Sequence, residues 1–563
     1  MAGLLRASEE GLRIVDMVRR NLDWNKTEDA WCLAALVSKA TLKRFWARTG
    51  IRRENFINIC KAVEIENWEY IAEGYEIQQT EPLLAAAMTD LPASGEPAQS
   101  FPLPDKLPPA HTPTGRAQEL ETLKAHILDT HPGENPTGIC IVGLTGTGKT
   151  TLANQLIRQL HTEKAPFAAA AWATLRSPTG KPLPFDTIAD SLSLALSSTD
   201  PPNPSQLPGF GGIEAGSPQD NCLKKTENLL KLLQEKPCLV VFDGVETVLK
   251  TGQAQGAGYF AEDCAEYAWL FKQLAETEHQ STIIFTSRET LAELPQRETH
   301  TLTLTGLDAE AAVALLQSFH LTATPTELHE LQARYRGHPK SLELVAALIR
   351  DDSEYGGKVG RFLQDRDWLL TRDIESILDE VMERLSDGER TCLCRLSVYQ
   401  TSEYPLTCAG IAAQMPEVSR YDLKENILQA LKRRQLLEYD RERESYQLHP
   451  LIREKAGHIL YKNPEAFRTA HRQAYHYFIT LPLKPESEWN DIEDIKPVLR
   501  AHYHASQAED WEEAERIIAW MDECLRRWGY GDDKLSLSLL YHTSQVAVNL
   551  DCEVREILGT SEE

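Results

Sequence analysis

No apolar run in this 563-residue chain approaches the ~20 residues needed to cross a bilayer. The N-terminus meets Arg6, Glu9 and Glu10 almost at once and has no apolar leader core. Together these absences point to a cytoplasmic protein with no membrane partner. Cysteine offers no scaffold either. The eleven are odd in number and scattered, and Cys392 and Cys394, two apart, lack the usual zinc-finger spacing. His502 and His504, also two apart, would not share a helix face, so they make no helical metal pair. Basic charge is short as well: a formal net charge of −25 excludes a surface that coats nucleic acid along its length. One stretch reverses that balance. Between Ala30 and Arg53 there is no acid, but there are Lys39, Lys43, Arg44, Arg48, Arg52 and Arg53.

What is present divides by composition into a multidomain α plus α/β chain, of about three to five domains at the usual domain size. Residues 1–75 have the pattern of a small all-α unit. Ser38 is placed to cap a helix with Leu42, Phe45 and Trp46 on its apolar side, and Gly50 to end it. Phe56, Ile59, Cys60 and Val63 then repeat at helical spacing. Short helices with a basic middle one suggest a helix-turn-helix type of unit. Residues 76–112, rich in Pro, Ala, Gln and Ser, read as a linker. Residues 113–305 alternate strand runs with helical patterns, which predicts a parallel sheet. Beyond residue 306 the pattern is helical: a small helical domain over 306–372, a winged-helix unit over 373–462 with a hairpin at Leu436–His449, and helical repeats of tetratricopeptide type over 463–563.

The strongest chemical signal is Gly143-Leu144-Thr145-Gly146-Thr147-Gly148-Lys149-Thr150, the G-x-x-x-x-G-K-[ST] phosphate loop. A buried-strand run (Ile139–Val142) precedes it, and a helical pattern starting at Thr151 follows. Phosphate chemistry requires that setting. Glycines let backbone N–H groups close around phosphate oxygens, and the helix start adds its positive dipole end. Lys149 then reaches the β- and γ-phosphates of ATP, and Thr150 ligates Mg²⁺. The run Cys238–Phe242 ends in Asp243, the position of a Mg²⁺-holding acid, with Glu246 three residues on. Glu246 is either a water-orienting carboxylate or a solvated helix-start acid. A third run, Thr282–Ser287, delivers Arg288 to a strand end, where it can sense a γ-phosphate.

The order of these motifs resembles the STAND class of signalling ATPases, and within it the NB-ARC or AP-ATPase type, over roughly residues 113–460. Thr114-Gly115-Arg116 looks like the family's Gly-Arg motif ahead of the phosphate loop. Leu304-Thr305-Gly306-Leu307 looks like its element after the sheet, and Gly337-His338-Pro339-Lys340-Ser341-Leu342 like its G-x-P motif. The resemblance implies that Pro339 lies against the adenine and that His449, closing the winged helix, touches the phosphates of ADP. The plain alternatives are a helix-start proline and a core histidine. The chain departs from the family where Gly244 follows Asp243 and where Pro450 follows His449 in place of an acid. It is also similar in detail to cyanobacterial members.

What the resemblance implies is a switch with slow ATP hydrolysis. ADP would hold the molecule closed, a ligand sensed by the C-terminal helices would open it, and ATP-bound copies would form a homo-oligomer for signalling, defence or transcriptional control. The output would pass through residues 1–75, either by DNA contacts from Lys39, Lys43, Arg44 and Arg48 or by recruiting a protein effector. A remodelling ATPase of the AAA+ type, with continuous turnover, is the other class to be tested. No nuclease, protease or TIR-like constellation is evident in the sequence.

Overall fold

The computed structural model describes residues 4–8, 12, 15, 29–35, 37–63, 100–104, 107–109, 115–128, 138–177, 179–197, 218–295, 297, 299–365, 369–399, 405–485, 488–489 and 492–527. The chain divides into two compact units, Met1–Glu96 and Pro97–Glu563.

In the first unit, β1 (Leu4–Leu5) pairs antiparallel with β2 (Ile51–Arg52), and its described residues include helices α1 (Asp29–Ala34), α2 (Lys39–Trp46) and α3 (Arg53–Lys61). Trp31, Leu42, Phe45, Phe56, Ile59 and Val63 form its core. Ser38 caps α2 as expected, accepting from the Thr41 N–H at 3.2 Å. Gly50 does not end that helix. The positive φ falls at Arg48 (53°), and its Nε donates to the Ala7 carbonyl at 3.2 Å, a long-range bond that holds the turn. Lys39, Lys43 and Arg44 are exposed along α2.

The first described residues of the second unit, 100–104 and 107–109, belong to the stretch that reads as a linker. Here they are strapped down. Phe101 is buried against Phe167, and its carbonyl bonds His161 Nδ1 at 2.7 Å. The buried Asn154 side chain donates to the Pro108 and Pro109 carbonyls, both at 3.0 Å. Prolines leave carbonyls without matching N–H groups, so a side-chain donor is what can pin such a segment.

Helix α4 (Ala117–Leu128) leads into an all-parallel five-stranded sheet of β3 (Gly138–Val142), β4 (Ala169–Thr174), β5 (Cys238–Asp243), β6 (Thr282–Ser287) and β7 (Thr299–Thr303), in the spatial order β4-β5-β6-β3-β7. Central strands covered on both faces must be apolar, and β3 is throughout, as is β5 up to Asp243 at its C-terminal end. Edge strand β7, Thr-His-Thr-Leu-Thr, has no fully buried residue. Alternation splits the core in two. Ile139, Ile141, Val241 and Ile284 meet α5 (Lys149–Thr162). Cys140, Val240, Phe242 and Phe285 meet α6 (Phe185–Ser197), α7 (Pro218–Glu235) and α8 (Ala265–Glu276). All five strands run the same way, so their C-terminal ends present one continuous rim.

Beyond the sheet come α9 (Ala309–Gln317), α10 (Pro325–Arg334), α11 (Pro339–Asp351), α12 (Val359–Asp365), α13 (Arg372–Glu383), α14 (Asp387–Leu396) and α15 (Cys408–Gln414). A π-helical turn at Asp422–Leu428 runs into α16 (Gln429–Arg433). The antiparallel hairpin of β8 (Leu437–Asp440) and β9 (Ser445–Leu448) follows. Then come α17 (Pro450–Tyr461), α18 (Pro464–Ile479), α19 (Lys496–Gln507) and α20 (Trp511–Arg527). From Leu307 to Met521 one contiguous apolar core unites these elements. Among the described residues no helix is long and apolar enough to cross a membrane.

Buried charge joins this helical assembly to the sheet. Glu289, just past β6, accepts from Arg384 at 2.6 Å and from Arg434 at 2.8 Å through its Oε1. Arg434 also donates to Glu389 at 2.8 Å. Glu289, Arg434 and Glu389 are each 2 % exposed or less.

Candidate nucleotide-binding site

Between β3 and α5 the loop Gly143–Gly148 turns back over the sheet rim. Gly148 caps α5 with φ 94°, a conformation that L side chains resist. Gly146, at φ 79°, runs so close to the segment after α10 that a Cβ there would stand 2.7 Å from the Lys340 Cβ and 2.9 Å from the His338 ring. The Lys149 ammonium folds over the loop, donating to the carbonyls of Gly143 (2.9 Å) and Leu144 (2.7 Å). Burial lowers its pKa to about 8, although the Glu246 and Asp243 carboxylates pull the other way. A lysine held by two neutral carbonyls in so little water binds strongly to any anion that reaches it.

The second residue of α5 and the ends of two strands meet beside it. Asp243 Oδ1 accepts from Thr150 Oγ1 at 2.8 Å and from Thr286 Oγ1 at 2.6 Å. Burial raises the Asp243 pKa, and the two hydroxyl hydrogen bonds oppose that rise. Thr286 also accepts from the Gly244 N–H at 3.0 Å, so its hydroxyl ties β5 to β6 at the rim. Glu246 lies in the short 3₁₀ turn Val245–Val248, with one oxygen 3.0 Å from Arg288 Nε and the other accepting the Arg288 N–H at 3.3 Å. It is buried, so the solvated-acid alternative does not describe it.

These groups border a cavity of about 580 Å³. Arg116, Thr145–Thr151, Asp243, Glu246 and Arg288 lie along it on the sheet side; Leu307, Leu315, Pro339, Lys340 and Glu343 close it from the helical side. Arg116 works as a clasp. Its guanidinium donates to the carbonyls of Thr147 (3.2 Å) and Thr305 (2.6 Å), tying the phosphate loop to the chain leaving β7. Gly115 lies behind it, against Ala311 of α9. The donor set fits Mg²⁺. Thr150 and Asp243 offer hard oxygen atoms side by side, and among the described residues no group of three or more His, Cys, Asp or Glu forms a metal cage. A cation held by one carboxylate, one hydroxyl and the phosphates themselves is the Mg²⁺ habit.

Two histidines stand behind the loop, and only one was a sequence candidate. His338 caps α11 and His449 caps α17, each followed by proline at the first helical position. His338 Nδ1 accepts from the Ser341 N–H at 3.2 Å, so its proton sits on Nε2 and is donated to the Thr145 carbonyl at 2.8 Å. Burial holds His338 neutral, with a pKa lowered to about 4. His449 does not border the cavity. Its ring meets His338 edge-on at 5.7 Å, and burial, then His338 and Arg336, press its pKa well below the ordinary value. Sequence reasoning passed over His338 as the variable position of its motif. The repeated His-Pro helix start was the available signal. It also passed over Arg176, just beyond β4, whose guanidinium borders the same cavity.

Residues 112–257 match the model of the AAA ATPase domain family. The chain carries a P-loop ATPase domain, and such a domain implies nucleotide binding with Mg²⁺. A curated relative, an uncharacterised WD repeat-containing protein of Nostoc sp., is 27 % identical over 465 residues, covering 77 % of this chain and 34 % of its own length. The chain thus spans about a third of that relative. Among solved structures, the Walker-type ATPase of Pyrococcus abyssi is similar at 14 % identity and TM-score 0.40, covering 61 % of this chain and 95 % of its own. A Signal Transduction ATPase with Numerous Domains (STAND) protein with a tetratricopeptide repeat sensor, from Pyrococcus horikoshii, is similar at 16 % identity and TM-score 0.27, covering 78 % and 54 %. The Thermotoga maritima RuvB Holliday junction branch migration motor is similar at 12 % identity and TM-score 0.26, covering 59 % and 90 %.

Proposed function

We propose that this chain is a nucleotide-dependent switch of the STAND, NB-ARC-like type. It would take ADP or ATP with Mg²⁺ at Lys149, Thr150 and Asp243, and use the occupant to fix its helical segments against the sheet. One observation carries the reading: the wall facing the phosphate loop is built by Leu307, Leu315, Pro339, Lys340 and Glu343, from outside the sheet domain. A ligand gripped from both sides has different contacts in docked and undocked arrangements, and that difference is all a switch needs.

On this reading the phosphate loop and Lys149 hold the phosphates, Pro339 borders the base, and Mg²⁺ beside Thr150 and Asp243 offsets phosphate charge. His449 reports docking through His338 and the Thr145 carbonyl rather than by touching phosphate. Hydrolysis is slow, because both oxygens of Glu246 are engaged by Arg288. The hairpin Leu437–Leu448 with the helices before it is the winged-helix element, and opened copies associate into homo-oligomers. The C-terminal helices take the activating ligand, and the basic face of α2 passes the output to DNA or a protein effector.

The AAA-family match favours a second reading, a remodelling ATPase that turns over continuously. Denaturing the purified protein and identifying the released nucleotide separates the two. Retained ADP with slow turnover supports the switch; an empty resting site with fast multiple turnover overturns it. For the output, residues 1–75 titrated with duplex DNA at two salt concentrations should bind with a salt-dependent affinity if DNA is the partner. Absence of that dependence leaves the protein effector.

A further inference from the structure

The cavity is bordered by more positive charge than a diphosphate needs. Arg288 and Arg176 both border it, one past β6 and the other past β4. The two guanidiniums converge on a single carboxylate from outside the sheet. Glu380 of α13 accepts from Arg176 Nη2 through both oxygens, at 3.0 Å each, and from Arg288 Nη1 at 3.0 Å. Glu380 is not among the residues bordering the cavity. Partial burial would raise its pKa, but the hydrogen bonds from Arg176 and Arg288 outweigh that and leave it below its ordinary value, so it stays charged.

We propose that Glu380 is a built-in competitor of the nucleotide's terminal phosphate, and that Arg176 and Arg288 together distinguish ATP from ADP by exchanging Glu380 for that phosphate. The inference rests on the nucleotide site proposed above. A carboxylate and a phosphoryl group offer guanidinium the same pattern of anionic oxygens, so the two compete for one fork of donors. Charge makes the exchange conditional. With Glu246 and Glu380 both present, the two arginines are neutralised. With Glu380 displaced, one positive charge is left for the incoming phosphate. A diphosphate has nothing at that position and leaves the carboxylate in place. A triphosphate replaces it and loosens α13 at Glu380, while Arg384, just past the helix, stays paired to Glu289. Discrimination between nucleotides and release of the Glu380 contact between α13 and the rim thereby become one event.

The test uses full-length, nucleotide-stripped protein and calorimetry with ADP and with the β,γ-imido analogue of ATP, both with Mg²⁺. Wild type should bind both and Lys149→Ala neither; a wild type that binds neither, or a Lys149→Ala that binds as well, overturns the site itself. Given the site, Glu380→Gln removes the competing charge but keeps its shape. The affinity for the analogue relative to ADP should rise roughly tenfold, the worth of one charge-assisted hydrogen bond, with ADP affinity held within about twofold. Arg176→Gln should move the same ratio the opposite way by a similar factor. Both positions are well exposed, which favours folded variants. A ratio unmoved by Glu380→Gln, or moved in one direction by both variants, would mean that the carboxylate only braces the helix, and overturns the proposal.

Discussion

Strand β6 feeds two charged clusters from adjacent residues, and they are built on opposite principles. Thr286 and Arg288 face a cavity where acids and bases are partly engaged with one another: Asp243 with two hydroxyls, Glu246 and Glu380 with Arg288, Lys149 with main-chain carbonyls. Glu289, one residue on, enters a sealed knot with Arg384, Arg434 and Glu389. The first arrangement keeps its charges within reach of a visitor. The second has them spent on each other. Each joins the helical assembly to the sheet, the first at the border of the cavity and the second outside it.

Removing one member of the sealed knot should have the largest effect. Arg434→Met leaves Glu389 without a cation in the interior and Glu289 with Arg384 alone, and urea unfolding without nucleotide should register a loss of about 3–5 kcal/mol. If the loss is under ~1 kcal/mol, the knot is not sealed and the contrast fails. Lys149→Ala should do the reverse. Nucleotide affinity falls about a hundredfold or more, while stability without nucleotide holds or rises, since a partly desolvated ammonium has been removed. Calorimetry and unfolding on the same preparation check both halves. Gly146→Ala drives a methyl group into Lys340 and His338 from a left-handed backbone, at a cost of about 1–3 kcal/mol that should appear in both stability and nucleotide affinity.

Acidification gives the broadest effect, spread over several rings. His338 and His471 have folded pKa values lowered to about 4 and about 3, and those of His449 and His504 are lowered too. The unfolded chain therefore takes up protons near pH 6.5 while the folded one does not. The stabilisation these rings contribute is complete above about pH 6.5 and is lost as pH falls towards 4, at up to ~1.4 kcal/mol per pH unit for each ring. His338→Asn should flatten part of that slope in unfolding curves taken from pH 7 to pH 5. An unchanged slope would place the proton uptake elsewhere.

The chemistry carried by contiguous residues was legible in the sequence, and the chemistry assembled across the fold was not. A strand, a glycine turn and a lysine occupy neighbouring positions because one loop must do the whole task, and the parallel sheet was legible from its apolar runs for the same local reason. Arg176 and Glu380 are 204 residues apart, and nothing near either marks the other. His338 looked like a motif's free position because its partner, a carbonyl at Thr145, is backbone and leaves no trace in composition. Gly50 misled because the turn after α2 is held by a long-range bond from Arg48, which offsets the strain a glycine would have avoided. Residues 528–563, expected to continue the helical repeats, lie outside the described residues.

The proline-rich strap has a mechanical corollary. It is riveted to Asn154 and His161, on the same rigid rod whose first residue is Lys149, and a helix of fourteen residues is only about 21 Å long. Phe101 and Pro108 are therefore held at fixed distances from the phosphate loop, by a framework that involves none of the helices beyond residue 306.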